Sequence, residues 1–194
     1  MLTIETVDAS DEEAFGRWCT VLSAALPVDE PHRVPLDPEL ERGIVPLPGD
    51  PYERWQHLVA MDGDEPVAAA RVELSADSPD LAFFHLVVRP DRRRRGIGGT
   101  LLRTVERAAL AAGCTTAMTE TMQPAAAPPI PAMTFARAVG YRAGVRSVYR
   151  ELDVPVPRLD ELDPGPVPGY RIVTWSRRGR RRGESRRGTG TRTR

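Results

Sequence analysis

Four consecutive arginines, Arg92 to Arg95, run directly into Gly96-Ile97-Gly98-Gly99. Glycines at such a turn let main-chain N–H groups crowd inward around an anion, and a helix beginning there adds unpaired N–H groups and the positive end of its dipole. The arginines supply longer-range attraction, and the ligand that suits the whole is a pyrophosphate. Three other chemistries fit less well. A dinucleotide fingerprint needs a third glycine where Leu101 stands and an acid on the following strand, and a mononucleotide phosphate loop needs a lysine, which the chain lacks altogether. A nucleic-acid surface would spread its basic residues along a face with stacking aromatics between them. A solvated charge run beside an ordinary helix start is the remaining alternative.

The elements that must position this turn are legible on both sides of it. "LAFFHLVV" before it is an apolar run of strand length, and Pro90 ends it. After it, Leu101, Leu102, Val105, Ala108, Ala109 and Ala112 fall on one helical face from about Gly98, with Gly113 as the closing residue. Upstream, "LTIETVD" alternates as a strand, and Ser10 with Glu13 forms a capping box for a helix whose inner face is Phe15, Trp18, Cys19, Leu22 and Leu26. Residues 27–51 are rich in proline and acid, with a short helix expected at Pro38–Arg42. Strands around Gln56–Met61 and Val67–Leu74 flank "DGDEP" as a hairpin. Downstream, "TTAMTETM" reads as a strand, "QPAAAPPIP" as a lid-like loop, "AMTFARAV" as a short helix and "GVRSVYRELDV" as a closing strand. This order predicts an α/β (α+β mixed) domain over residues 1–153, with a mostly antiparallel sheet, one parallel strand–helix–strand crossover and helices on both faces.

Composition narrows the function classes. Two cysteines and three scattered histidines make neither a disulfide framework nor a metal site, so no metal is expected. The N-terminus has no signal-peptide pattern and no apolar run reaches membrane length, so a cytoplasmic protein without a membrane partner is expected. Residues 177–194 hold nine Arg and one Glu, which leaves the rest of this net-neutral chain acidic.

The stretch "LVVRPDRRRRGIGGTLL" resembles the acetyl-CoA-binding motif of the GNAT acyltransferase superfamily. Val88, Pro90, Arg93, Gly96, Gly98 and Leu101 match that motif without a gap, and the element order, with "AMTFARAVGY" near its end, resembles the family over about residues 2–153. The resemblance implies an N-acetyltransferase acting directly between acetyl-CoA and an amine, small-molecule or protein-borne. It implies that the main chain of Leu86, Val87 and Val88 pairs with the pantetheine arm, and that a main-chain N–H near Val87 or Val88 polarises the thioester carbonyl. It further implies that the turn Arg93, Arg94, Arg95, Gly96, Ile97, Gly98, Gly99 and Thr100 holds the pyrophosphate. Glu120 falls where several members place a catalytic Glu; the alternative is a carboxylate at a strand end facing solvent. His85 and Glu73 are further candidates for proton transfer, against a satisfied core histidine. The position where many members carry an acid-catalyst Tyr is Ala136, after Phe135. Tyr141 matches the family's packing aromatic, and Tyr149 reads as a strand residue. Asp29, Glu30, Asp37 and Glu39 are either an attraction for a cationic amine or a solvated acidic loop. A homodimer is an assembly the resemblance allows.

Residues 154–169 contain five prolines and read as a semi-rigid linker. Residues 170–194 begin strand-like and dissolve into an Arg/Gly-rich run that cannot pack. The linker and "YRIVTW" resemble the start of a second domain, as in tandem members, which makes this domain a candidate N-terminal half with CoA binding and little activity. The run itself is expected to be the product of a shifted frame or misplaced end; the alternative is a tail binding nucleic acid electrostatically.

Overall fold

The computed structural model describes residues 1–31, 33–123, 130–148, 161, 165 and 168–171. The chain divides into two compact units, Met1–Gly144 and Val145–Arg194. Among the described residues the first carries β1 (Leu2–Val7), α1 (Glu12–Asp29), α2 (Pro38–Ile44), β2 (Glu53–Asp62), β3 (Glu65–Ser75), β4 (Leu81–Val88), a 3-10 turn (Pro90–Arg92), α3 (Ile97–Ala111), β5 (Thr116–Met118) and α4 (Pro131–Ala138). The sheet order is β1-β2-β3-β4-β5. The first three pairings are antiparallel, and β4–β5 is parallel across the α3 crossover. This is the mixed α/β architecture expected from the sequence.

Alternation along the strands divides the core between two faces. Leu58, Ala60, Ala68, Ala70, Val72, Ala82 and Phe84 pack on one face against Ile97, Leu101, Leu102, Val105 and Ala109 of α3. Val7, Val59, Met61 and Ala69 pack on the other against Phe15, Trp18, Cys19, Val21, Leu22 and Leu26 of α1. Trp18 also donates its indole N–H to the Ala70 carbonyl at 3.0 Å, which fixes α1 across the sheet.

Several boundaries differ from expectation, each for a local reason. The α1 cap is Asp11, which accepts from the Ala14 N–H, and not Ser10. Ser10 is unavailable because its N–H and hydroxyl both donate to the Asp8 carboxylate at 2.8 Å. Helix α1 continues through Pro27 to Asp29. Asp37 caps α2 through the Glu39 and Leu40 N–H groups, and the helix runs on to Ile44. Strand β5 covers only Thr116–Met118 of the longer run expected. Residues 144–148, where the closing strand was to begin, lie in no strand, and Val145 and Val148 are exposed, so the alternation there meets no core. The rest of that strand, with Tyr149, falls outside the described residues, as do residues 124–129 of the lid-like loop and nearly all of the linker and Arg/Gly run.

Of the second unit, the described residues lie in no strand, and Tyr170 is exposed. Among the described residues no helix is long and apolar enough to cross a membrane, and no three His, Cys, Asp or Glu side chains converge as a metal site.

Candidate functional site

β4 outruns its parallel neighbour. It pairs with β5 only over Leu81–Phe83, while β3 accompanies it to Val88. The Arg89 N–H donates to the Val67 carbonyl at 3.0 Å. In an antiparallel ladder the N–H direction alternates, so Val87 and His85 face β3 as Arg89 does, and Leu86 and Val88 turn their N–H groups to the other edge, which no strand among the described residues occupies. The Val88 carbonyl follows this rule, since it accepts from Arg93 Nε at 3.0 Å rather than from β3. The side chain of Val87 packs into the α1-side core.

The four arginines divide into those that build the turn and those that project from it. Arg92 pairs with Glu65 and, at 3.4 Å, with Asp91. Arg93 folds back so that Nη2 reaches Asp29 at the end of α1, 2.6 Å away. Arg95 is exposed and donates to the Asp91 carbonyl at 3.3 Å. Arg94 is exposed, makes no hydrogen bond or ion pair among the described residues, and has φ 63°. That left-handed conformation is rare for a residue with a Cβ. Gly96 follows at φ 80° as the N-cap of α3, and no side chain among the described residues caps the helix. Left-handed residues in a turn aim successive N–H groups to one side.

The Thr100 N–H closes the first helical hydrogen bond on the Gly96 carbonyl at 3.1 Å. Ile97, Gly98 and Gly99 therefore start the helix with N–H groups that have no intrahelical partner. Ile97 is buried beneath them, and there is no acid in the first turn. A Cβ on Gly98 would meet Phe135 and Val88 at 3.5 Å, so there is space for a methyl group and none for a longer side chain pointing that way. An uncapped helix start with this approach and no carboxylate is suited to an anion.

The profile of the Acetyltransferase (GNAT) family matches residues 26–129. The chain belongs to this family. Among solved structures it is similar to a tandem GNAT protein from the clavulanic acid biosynthesis pathway, at 27% identity and a TM-score of 0.62 over 72% of this chain. The chain spans only 43% of that protein's length. It also shares its fold with an aminoglycoside acetyltransferase from an uncultured soil metagenomic sample, at 19% identity and a TM-score of 0.58 over 78% of this chain and 97% of the other. The ribosomal-protein-S18-alanine N-acetyltransferase from Escherichia coli gives 18% identity and a TM-score of 0.56 over 75% of this chain and 80% of the other. No curated protein sequence matches the chain.

Within this GNAT domain the proton-transfer candidates gather on the α1 side of the sheet. Glu120 lies two residues past β5 and is exposed. Its charge reaches His85, whose pKa is drawn below the ordinary histidine range chiefly by burial and next by Arg71, with Glu120 opposing. His85 Nε2 lies 3.5 Å from Glu73 Oε1. Glu73 is gripped by Arg71 through Nε at 2.8 Å and Nη2 at 2.7 Å. Arg71 also reaches Glu41 of α2 at 3.7 Å and lies over the Trp55 ring at 4.4 Å.

The four acids of the expected amine-attracting region separate: Asp29 holds Arg93, Glu30 holds Arg33, Asp37 caps α2, and Glu39 is exposed. Ala136 leaves the usual tyrosine position without a hydroxyl. The Tyr141 hydroxyl donates to Glu106 at 3.2 Å and its ring packs edge-on against Phe84. Burial, reinforced by Glu106, pushes the phenol up to about 12, so it is held as a packing and hydrogen-bonding residue. Arg71, Trp55 and Glu41 were not singled out from the sequence. The available signal was polar and aromatic side chains at alternate positions of β2 and β3, namely Glu53, Trp55 and His57, then Arg71 and Glu73.

Proposed function

We propose that the chain transfers an acetyl group from acetyl-CoA to an amine acceptor by direct attack of the amine on the thioester. The observation that carries this reading is the pairing of an uncapped α3 start with an open β4 edge. The N–H groups of Arg94 through Gly99, with the Thr100 hydroxyl beside them, hold the pyrophosphate. Arg93 steadies the turn through Asp29 and Val88. Leu86 and Val88 offer open main-chain groups to the pantetheine arm, with Val87 between them bonding to β3. Acetyl-CoA supplies an acyl group activated as a thioester. The Val88 N–H faces its carbonyl oxygen and stabilises the negative charge that develops there.

The new C–N bond forms as the C–S bond breaks, and the amine must shed a proton. Glu120 accepts it, directly or through water, because it stands on the face opposite α3 with His85 in its field. The departing thiol has an ordinary pKa of about 8.5, so solvent can protonate it and Ala136 is tolerated.

Acetyl-CoA should therefore stabilise the folded chain by about 2.7 kcal/mol at a hundredfold excess over Kd. Gly98→Glu should erase that shift by placing length and negative charge at the helix start, whereas Gly98→Ala, which meets only ordinary contacts, should keep most of it. A thermal melt with and without ligand reads both, and an undiminished shift in Gly98→Glu would refute the site.

A second reading is a CoA-binding half of a tandem protein with little activity of its own, with residues 154–169 as linker. Ala136 and the 43% coverage of the tandem relative favour it. Release of free CoA thiol over a panel of amines separates the two: a ligand shift without turnover supports the second.

A further inference from the structure

Helix α1 covers only part of its side of the sheet. Its core lies over Val7, Val59, Met61, Ala69 and Val87, and His57 packs against its Phe15 and Trp18; beyond the row His57, Arg71 and His85, the next row across four strands is Trp55, Glu73, Phe83 and Met118. This row borders a cavity of about 150 Å³ lined by Glu53, Trp55, Glu73, Leu81 and Phe83 among others. Its walls are fixed. Arg71 stacks on Trp55 and holds Glu73 by one hydrogen bond from Nε and an ion pair from Nη2, and Phe83 stands edge-on to His85 at 5.1 Å. Its charge is not balanced. Arg71 is shared between Glu73 and Glu41, and Arg33 between Glu30 and Glu41. The carboxylate of Glu53 makes no ion pair or side-chain hydrogen bond among the described residues, and that of Glu120 makes none either.

An aromatic-walled cavity with a free carboxylate attracts a cation through the ring faces and through charge together. On the acetyltransferase reading, on which this inference rests, the reacting amine sits by His85 and Glu120. The cavity begins one row further along the strands, about 7 Å away. We propose that the cavity seats a second cationic nitrogen of the acceptor, so that the acceptor is a molecule with two amines about 7 Å apart or a little more. The reacting nitrogen lies by His85, and the distal ammonium lies between Trp55 and Phe83 within reach of Glu53.

The test uses the full chain with CoA present and compares binding of 1,5-diaminopentane and 1-aminopentane by calorimetry. The diamine should bind at least tenfold more tightly. Glu53→Gln, an exposed position that the fold does not depend on, should remove most of that preference, and Trp55→Ala should reduce it further. The acetyl-CoA melting shift should persist in both variants. Equal binding of the two amines, no binding of either, or a preference that survives Glu53→Gln would overturn the proposal. A diamine preference that depends on Glu53 while acetyl-CoA gives no shift would keep the cavity and refute the donor site instead.

Discussion

The turn proposed to hold the donor and the α1-side face meet near the end of β4, and they are made of different materials. The proposed donor turn is main chain: N–H groups at Leu86 and Val88, a helix start with no side-chain cap among the described residues, and Gly98, where there is room for a methyl group and little more. Two of its four arginines, Arg92 and Arg93, brace it from behind through Glu65, Asp29 and Val88. The α1-side face is side chain: Glu73, Arg71, His85, Glu41 and Trp55 hold one another, and Glu120 adds charge from β5's end. A main-chain site keeps its character when pH or a neighbouring residue changes. A side-chain site can be retuned by one substitution. One family can thus keep its donor while changing its acceptor.

The sharpest way to break this division is Glu120→Gln. Removing a general base typically slows a reaction by about 10²- to 10⁴-fold. The variant should lose turnover by that order, measured as thiol release, and keep the full acetyl-CoA melting shift. Equal loss in both readouts would show that the two halves are one unit. Near-full activity would move the proton transfer to His85.

A second effect separates the halves by pH. His57 is 3% exposed, packed edge-on against Trp18 at 4.9 Å, and its Nε2 has no partner among the described residues. Burial first and Arg71 second lower its pKa to about 4 from 6.5. The unfolded chain therefore binds a proton that the folded chain refuses between those values. Stability should hold above pH 6.5, fall as pH drops through the window, and level off below pH 4. The whole loss is roughly 3 kcal/mol, at about 1.4 kcal/mol per pH unit. Urea unfolding across pH 7.5 to 4.5 should show this slope in the native chain and a flatter one in His57→Leu. An identical slope in the variant would assign it to other groups.

What the sequence disclosed follows the same division. Val88 to Leu101 is contiguous, so its spacing alone displayed strand, turn and helix. The row Trp55, Glu73, Phe83 is assembled from three strands, and no short window contains it. Arg93 and Asp29 are 64 residues apart, so the reach of α1 past Pro27 to that ion pair could not be read locally. The cap of α1 was missed by a single residue because Asp8, Ser10 and Asp11 are all capable groups, and their competition is settled only by geometry. The pattern from Gly144 alternates like a strand, yet alternation makes a strand only where an edge receives it.

The smallest effect concerns Arg94, where strain and charge can be told apart. Its φ of 63° places a Cβ against the backbone, at a cost of about 1 kcal/mol. Glycine removes that cost and adds freedom to the unfolded chain, offsetting about half of the gain. Arg94→Gly should thus raise stability by a few tenths of a kcal/mol to about 1 kcal/mol. It should also weaken acetyl-CoA severalfold at low salt and less at high salt, because an exposed guanidinium acts on the pyrophosphate through a screened field. Arg94→Ala keeps most of the strain and loses the same charge, so it should match the glycine variant in ligand affinity and fall below it in stability. Urea unfolding and ligand titration at two salt concentrations supply both numbers for both variants. Should Arg94→Gly be less stable than the native chain, the guanidinium is bracing the turn. Should affinity be unchanged in both variants, the donor site is built from main chain alone, and its arginines serve only the architecture.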